Sequence, residues 1–267
     1  MGLQVLGKRI DGYHDINSIF IELQFHDIIS FKPSKTYSLA TNNLALPIDK
    51  TNLVYKAYKA LKPYKHQNLE EYSIYIDKKI PMGGGLGGGS SNAGTTLKVL
   101  NKLWNCKLDN DALIDISSSL GADVPFFIKG GIQIVGGIGD KLESINFNEI
   151  NKFQFLLITP EIHISTKWAY ENLNINLQSS INRANFSPLK GPVNWQLFEN
   201  DFERVIRSTY PEIDEIKSQL YSLGAVYAGM SGSGSTVFGI FDNRKLLQPL
   251  SEKFTQCQSF ITSPNTK

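Results

Sequence analysis

The stretch Pro81-Met82-Gly83-Gly84-Gly85-Leu86-Gly87-Gly88-Gly89-Ser90-Ser91-Asn92-Ala93-Gly94 decides how this chain is read. Six of the seven positions from Gly83 to Gly89 are glycine, so the backbone can take positive φ and approach a ligand closely. Successive N–H groups of such a turn point inward as a nest for an anion. Before it, Tyr72, Ile74 and Ile76 alternate with polar residues, the period of a half-buried strand. After it, Ala93, Leu97, Leu100 and Trp104 form an apolar helix stripe. Ser90 or Asn92 is expected to cap that helix, which sets the turn at its positive end, where a polyphosphate gains free donors and the dipole together. A flexible linker is the plain alternative, but here the glycines join a strand directly to a helix. A Walker A loop needs Gly-Lys-Ser/Thr, and Gly89-Ser90-Ser91 has no lysine. A nicotinamide-type fold needs its glycines in an opening βαβ unit, which the chain lacks. The turn is therefore expected to hold a nucleoside triphosphate.

Working outward, Leu3 and Val5, then Ile19, Ile21, Leu23 and Phe25, alternate as strands around the polar turn Lys8-Arg9-Ile10-Asp11-Gly12-Tyr13-His14. Short strand-like runs fill 26–47, and 52–61 reads as a helix. Asp109 is expected to cap a helix through Leu113, Ile116 and Leu120. Ile132 to Val135 and Phe155 to Thr159 read as strands; Asn200-Asp201-Phe202-Glu203 opens a helix, and Ile213, Ile216 and Leu220 mark another. Two further strands, Ala225 to Ala228 and Thr236 to Phe241, are linked by the second glycine turn, Gly229 to Ser235. The polar stretch after Gly136–Gly139 suggests a domain boundary, giving domains 1–150 and 151–267.

Among 267 residues, 27 basic and 25 acidic side chains leave a charge of +2, which argues against a nucleic-acid binder. With 41% hydrophobic and 19% charged residues the chain is globular. Cys106 and Cys257 are too few for a disulfide framework or a multi-cysteine zinc site. No apolar run approaches the ~20 residues of a membrane span, and the first residues lack a signal-peptide core. The expectation is a cytoplasmic protein that engages no membrane.

The glycine turn resembles that of the GHMP kinases, whose shared pattern is proline, Gly-Leu-Gly, then serines and an alanine, as Pro81 to Ala93 shows. Within them, Gly85 to Ala93 is similar to the branch that acts on 4-diphosphocytidyl-2-C-methyl-D-erythritol. Lys8 to His14, Gly121-Ala122-Asp123-Val124-Pro125-Phe126-Phe127 and Met230-Ser231-Gly232-Ser233-Gly234 resemble that branch too, with weaker motifs at Asn52-Leu53 and Asn200 to Glu203. The resemblance implies two α+β domains, an N-terminal one like ribosomal protein S5 and a ferredoxin-like C-terminal one, with the active site in the cleft between them. It implies ATP and Mg²⁺, a small cytidine-diphosphate substrate, and phosphorylation of its 2-hydroxyl on the non-mevalonate route to isoprenoid precursors. Homoserine kinase, another GHMP member, has no use for an Asp11-Gly12-Tyr13-His14 turn; a catalytically impaired nucleotide binder is a further alternative.

The resemblance assigns Gly83, Gly84, Gly85, Leu86, Gly87, Gly88, Gly89, Ser90, Ser91, Asn92 and Ala93 to the nucleotide. Ser90 and Ser91 could bind phosphate oxygens or Mg²⁺, or simply cap the helix. From residues alone Asp123 is as much a helix cap as a base; the resemblance makes it the catalytic base. It also assigns Tyr13, His14 and Tyr170 to the cytidine, with core packing the alternative for Tyr170. The turn Gly229 to Ser235 matches the third motif of the family, beside the phosphate loop, or is a plain hairpin turn. Two departures stand out. The family's opening Pro-Ala-Lys-Ile-Asn-Leu has no counterpart before Leu3; a start site placed too late, a trimmed chain and a silent homologue compete to explain it, and intact Asp123 and glycine turns favour a missing N-terminal segment. Ile138 stands where the family often carries arginine.

Overall fold

The computed structural model describes residues 1–173, 193–242 and 244–266. In chain order the strands are β1 Leu3–Lys8, β2 His14–Ile21, β3 Ile28–Ser34, β4 Ser38–Thr41, β5 Glu71–Asp77, β6 Ile132–Gly136, β7 Lys141–Ser144, β8 Phe153–Pro160, β9 Tyr227–Met230, β10 Val237–Asp242 and β11 Cys257–Thr262. The helices are α1 Leu53–Leu61, α2 Gly88–Leu103, α3 Asn110–Ser118, α4 Val124–Lys129, α5 Thr166–Asn172, α6 Asp201–Ile206, α7 Pro211–Ser222 and α8 Gln248–Ser251. Contacts group them into two compact units that are discontinuous in sequence. Unit 1 holds Met1–Phe25, Gly83–Leu86 and Gly131–Lys267; unit 2 holds His26–Met82 and Gly87–Gly130. Among the described residues no helix is long and apolar enough to cross a membrane.

Unit 1 contains two four-stranded sheets, ordered β1-β2-β6-β7 and β11-β8-β10-β9. The second runs β8, then helices, β9, β10, a helix and β11, so its strands stand in the order fourth-first-third-second, the ferredoxin-like βαββαβ arrangement. β8 explains its own central place. Leu156 and Ile158 pack with α6 and α7 residues such as Phe202, Ile206 and Leu220, while Phe155 and Leu157 pack with Ile19, Phe198 and Phe238. A strand buried on both faces needs the unbroken apolar run that the sequence shows there. The alternation expected to continue through Phe25 stops earlier, because the β2–β6 ladder ends at the pair Ile21–Ile132. Leu23 keeps an isolated bridge to Pro264, and Phe25 stacks on Phe260 at 4.4 Å.

Unit 2 lays helices on a three-stranded sheet, β3-β5-β4, with β3 antiparallel and β4 parallel to β5. The expected stripe Ala93, Leu97, Leu100 and Trp104 is fully buried, against Ala57, Tyr58 and Leu61 of α1, Leu113 of α3 and Val124 and Ile128 of α4. Each buried leucine of that stripe is worth about 2–3 kcal/mol, enough to hold α2 rigidly although its first turn is glycine and serine. Asp109 caps α3, accepting from Ala112 N at 2.9 Å, as its position predicts. Asn52 caps α1 and Asn200 caps α6 in the same way.

Candidate functional site: two glycine turns, an uncapped aspartate and a stacked histidine

The glycine loop spans both units, with Gly83–Leu86 in unit 1 and Gly87 onward in unit 2. Gly83, Gly85 and Gly87 all have positive φ, at 71°, 73° and 65°, so the requirement for glycine is met at alternate positions. The helix begins earlier than a side-chain cap would place it. Gly87 is the N-cap residue of α2 and carries no capping side chain, so Ser90 and Asn92 lie inside the helix and are not its cap. The reason is that glycine tolerates the left-handed geometry that starts the helix here. Ser91 N is the first amide to close on the helix, bonding to Gly87 O at 2.8 Å. The N–H groups of Gly88, Gly89 and Ser90 therefore have no partner among the described residues at the positive end of a sixteen-residue helix, donors suited to phosphate oxygens. Asn92 is buried, and its amide donates to Asp27 at 2.8 Å instead of facing outward.

Within unit 1 the second glycine turn closes on the first. Ser231 Oγ donates to Gly85 O at 2.9 Å, and Thr236 N donates to Gly84 O at 3.2 Å. The same turn joins β9 to β10, so it is both a hairpin turn and a wall of the loop. Asn200 holds it in shape, donating to Met230 O at 2.9 Å and Gly232 O at 2.8 Å. Glu203 accepts from Met230 N at 2.8 Å. These contacts give Asn200 and Glu203 a clear task that helix periodicity alone did not reveal. His163 was not singled out by its surroundings in sequence, yet its Nδ1 lies 3.1 Å from where a side chain at Gly83 would begin.

Asp123 occupies the N-cap position of α4, but its side chain makes no capping hydrogen bond. The structural alternative of a capping aspartate is therefore not realised. The side chain is exposed, yet enough protein crowds it that burial pushes its carboxyl above the ordinary value. An accessible carboxylate with raised basicity and no partner among the described residues is equipped to take a proton.

The remaining expected residues lie in unit 1, Tyr13 and His14 on the β1–β2 hairpin and Tyr170 on α5. His14 stacks on Tyr170, ring centroids 4.7 Å apart and 14° between planes. Tyr170 in turn meets the edge of Phe202 at 4.8 Å and packs against the core of unit 1. Tyr13 projects into solvent, 60% exposed. Burial, then the nearby Lys8 ammonium, holds His14 below the usual imidazole value, which keeps it neutral with one donor and one acceptor nitrogen. Ile138 sits on an exposed turn whose amide bonds to Asp140 Oδ1 at 3.0 Å, and it offers no charge there.

The approach of the two glycine turns yields a direct test. A Cβ at Gly85 would lie 2.2 Å from Ser231 O, at a φ that side chains avoid. Gly85→Ala should weaken binding of a non-hydrolysable ATP analogue by about tenfold or more, since relieving such a clash costs about 1–3 kcal/mol of loop geometry. Wild-type affinity by calorimetry would show that this approach does not shape the loop's ligand.

Comparison with known proteins fits this geometry. Residues 52–131 match the GHMP kinases N terminal domain and residues 185–257 the GHMP kinases C terminal domain. A 4-diphosphocytidyl-2-C-methyl-D-erythritol kinase of Chlorobium chlorochromatii is 40% identical over 255 residues, covering 91% of this chain and 85% of that one. One from Thermoanaerobacter pseudethanolicus is 35% identical over 271 residues, covering 98% and 91%. A crystal structure of 4-(cytidine 5'-diphospho)-2C-methyl-D-erythritol kinase superposes with a TM-score of 0.80 at 24% identity, covering 100% of this chain and 96% of that one. The mevalonate kinase of Methanococcus jannaschii shares the fold at a TM-score of 0.67 and 16% identity, covering 99% and 96%. The chain is a GHMP kinase and belongs, within that superfamily, to the family of 4-diphosphocytidyl-2-C-methyl-D-erythritol kinases.

Proposed function

We propose that this kinase transfers the γ-phosphoryl group of ATP to the 2-hydroxyl of 4-diphosphocytidyl-2-C-methyl-D-erythritol, in the non-mevalonate synthesis of isoprenoid precursors. The observation that carries the reading is the extent of the match: 40% identity to a kinase of that name over 91% of the chain. In unit 2, Asp123 takes the proton of the attacking hydroxyl, and the amides of Gly88, Gly89 and Ser90 hold phosphate oxygens. In unit 1, the neutral His14 reads the cytosine edge with one donor and one acceptor. His14 and Tyr170 are already in ring contact, so the base lies beside that pair, against the exposed ring of Tyr13.

The bond from the γ-phosphorus to the bridging oxygen breaks as the bond to the substrate oxygen forms, leaving ADP and the phosphorylated alcohol. Phosphoryl transfer asks mainly for alignment and charge stabilisation. Mg²⁺ supplies part of that charge when bound. No cluster of acidic and histidine side chains that could hold a metal by itself occurs among the described residues. The ion would be carried by the nucleotide phosphates and waters, with the Ser90 or Ser91 hydroxyl beside it. Free thiols at Cys106 and Cys257 accord with a cytoplasmic enzyme.

Asp123→Asn should lower kcat by roughly 10²–10⁴ while leaving ATP affinity nearly unchanged. A variant that keeps wild-type turnover would remove Asp123 from the role of base. The carboxyl must be ionised to act, and its pKa is raised. The acid limb of kcat/KM should therefore fall away at a higher pH than an ordinary aspartate gives, and that limb should vanish in the variant. His14→Ala should raise KM for the cytidine substrate about tenfold, or ~1.4 kcal/mol, with KM for ATP unmoved. Equal changes in both constants would point to a damaged fold rather than a lost base contact.

A further inference from the structure

Asp27 lies just before β3, and none of the sequence motifs includes it. Its side chain is completely buried and pairs with Lys78, which is 4% exposed. The carboxylate gathers donors from both sides of the glycine loop. Oδ1 accepts from Lys79 N at 2.7 Å, Ile80 N at 2.8 Å and Lys78 Nζ at 3.2 Å. Oδ2 accepts from Asn92 Nδ2 at 2.8 Å and stands 3.0 Å from Lys78 Nζ. Lys78 Nζ also donates to Ile80 O. Burial works to raise the carboxyl's pKa, but the amides of Ile80 and Lys79, with Lys78 and Asn92, outweigh it and hold it below the ordinary carboxylate range. All of these groups belong to unit 2.

Ile80 is where the chain enters the glycine loop, and Asn92 is where it has passed into α2. One carboxylate thus fixes both ends of a segment that cannot fix itself. Glycine has the largest backbone entropy to lose on ordering, and glycine fills six of the seven positions from Gly83 to Gly89, with Leu86 the one side chain there that packs. Clamping the ends restricts the conformations left to it and sets where the amides of Gly88, Gly89 and Ser90 point. An amide in place of the carboxylate has one acceptor oxygen and turns an NH₂ group toward donors.

We propose that Asp27 is a positioning residue for the nucleotide: by tying Ile80 to Asn92 it holds the glycine loop in its phosphate-binding shape. The inference rests on the reading that this loop holds ATP. Two variants test it. Asp27→Asn removes the charge that collects the donors and leaves Lys78 buried without its partner. Asn92→Ala cuts only the tie to α2 and leaves the ion pair intact, so it stays informative if the first variant folds poorly. Calorimetry with a non-hydrolysable ATP analogue and with CDP, alongside thermal melts, separates positioning from stability. Asn92→Ala should lose about tenfold in affinity for the ATP analogue, Asp27→Asn at least as much, and neither should change the affinity for CDP. If the folded variants bind the ATP analogue as tightly as wild type while melting lower, Asp27 serves the fold alone and the inference is overturned. If they lose both ligands equally, the effect is global and the inference fails likewise. If wild type itself does not bind the ATP analogue, the nucleotide reading falls, and the inference falls with it.

Discussion

The structure depends on a backbone that comes too close to its neighbours to carry side chains. At Gly85 the main chain lies directly against the Ser231 carbonyl, and at Gly87 a side chain would begin 3.0 Å from the Phe127 ring. Those approaches, with positive φ at alternate residues, leave a run of amides without partners among the described residues at the start of α2. Unpaired N–H groups are costly when shielded from water, and here they are kept at the end of a helix whose dipole favours an anion. The rest of the molecule supplies rigidity for that arrangement. The buried stripe of α2 anchors it within unit 2, and Asn200 and Glu203 brace the second glycine turn within unit 1.

Much of this was legible in the sequence, and the reasons are local. A strand, a glycine run and an apolar helix stripe name their own conformations, because period and glycine content are properties of consecutive residues. The cap at Asp109 was legible for the same reason. The start of α2 was not, since cap rules weigh side chains and this helix opens on a glycine that has none. Asp27 was invisible as well. It stands 51 residues before Lys78 and 65 before Asn92, and no motif connects them. His163 met Gly83 only through the fold. Division of a sequence from end to end also yields contiguous domains, whereas the contact units here interleave, with the chain crossing from one to the other inside the glycine loop.

Electrostatics sorts the functional groups into kinds. Asp27 is buried and so well supplied with donors that it stays ionised; it serves as an anchor. Asp123 is crowded and has no partner among the described residues, so its carboxyl is more basic. His14 is pushed toward the neutral form, which suits reading a base edge rather than balancing a phosphate. Two aspartates of one chain thus shift in opposite directions for a physical reason, the presence or absence of hydrogen-bond donors among the described residues.

The account's central claim is that one chain carries separate places for ATP and for a cytidine diphosphate. It is tested most directly by calorimetric titration of CDP and a non-hydrolysable ATP analogue, each alone and then each into protein saturated with the other. The account predicts one site for each and no displacement of either by the other. Competition between them, or binding of the ATP analogue with none of CDP, would contradict it.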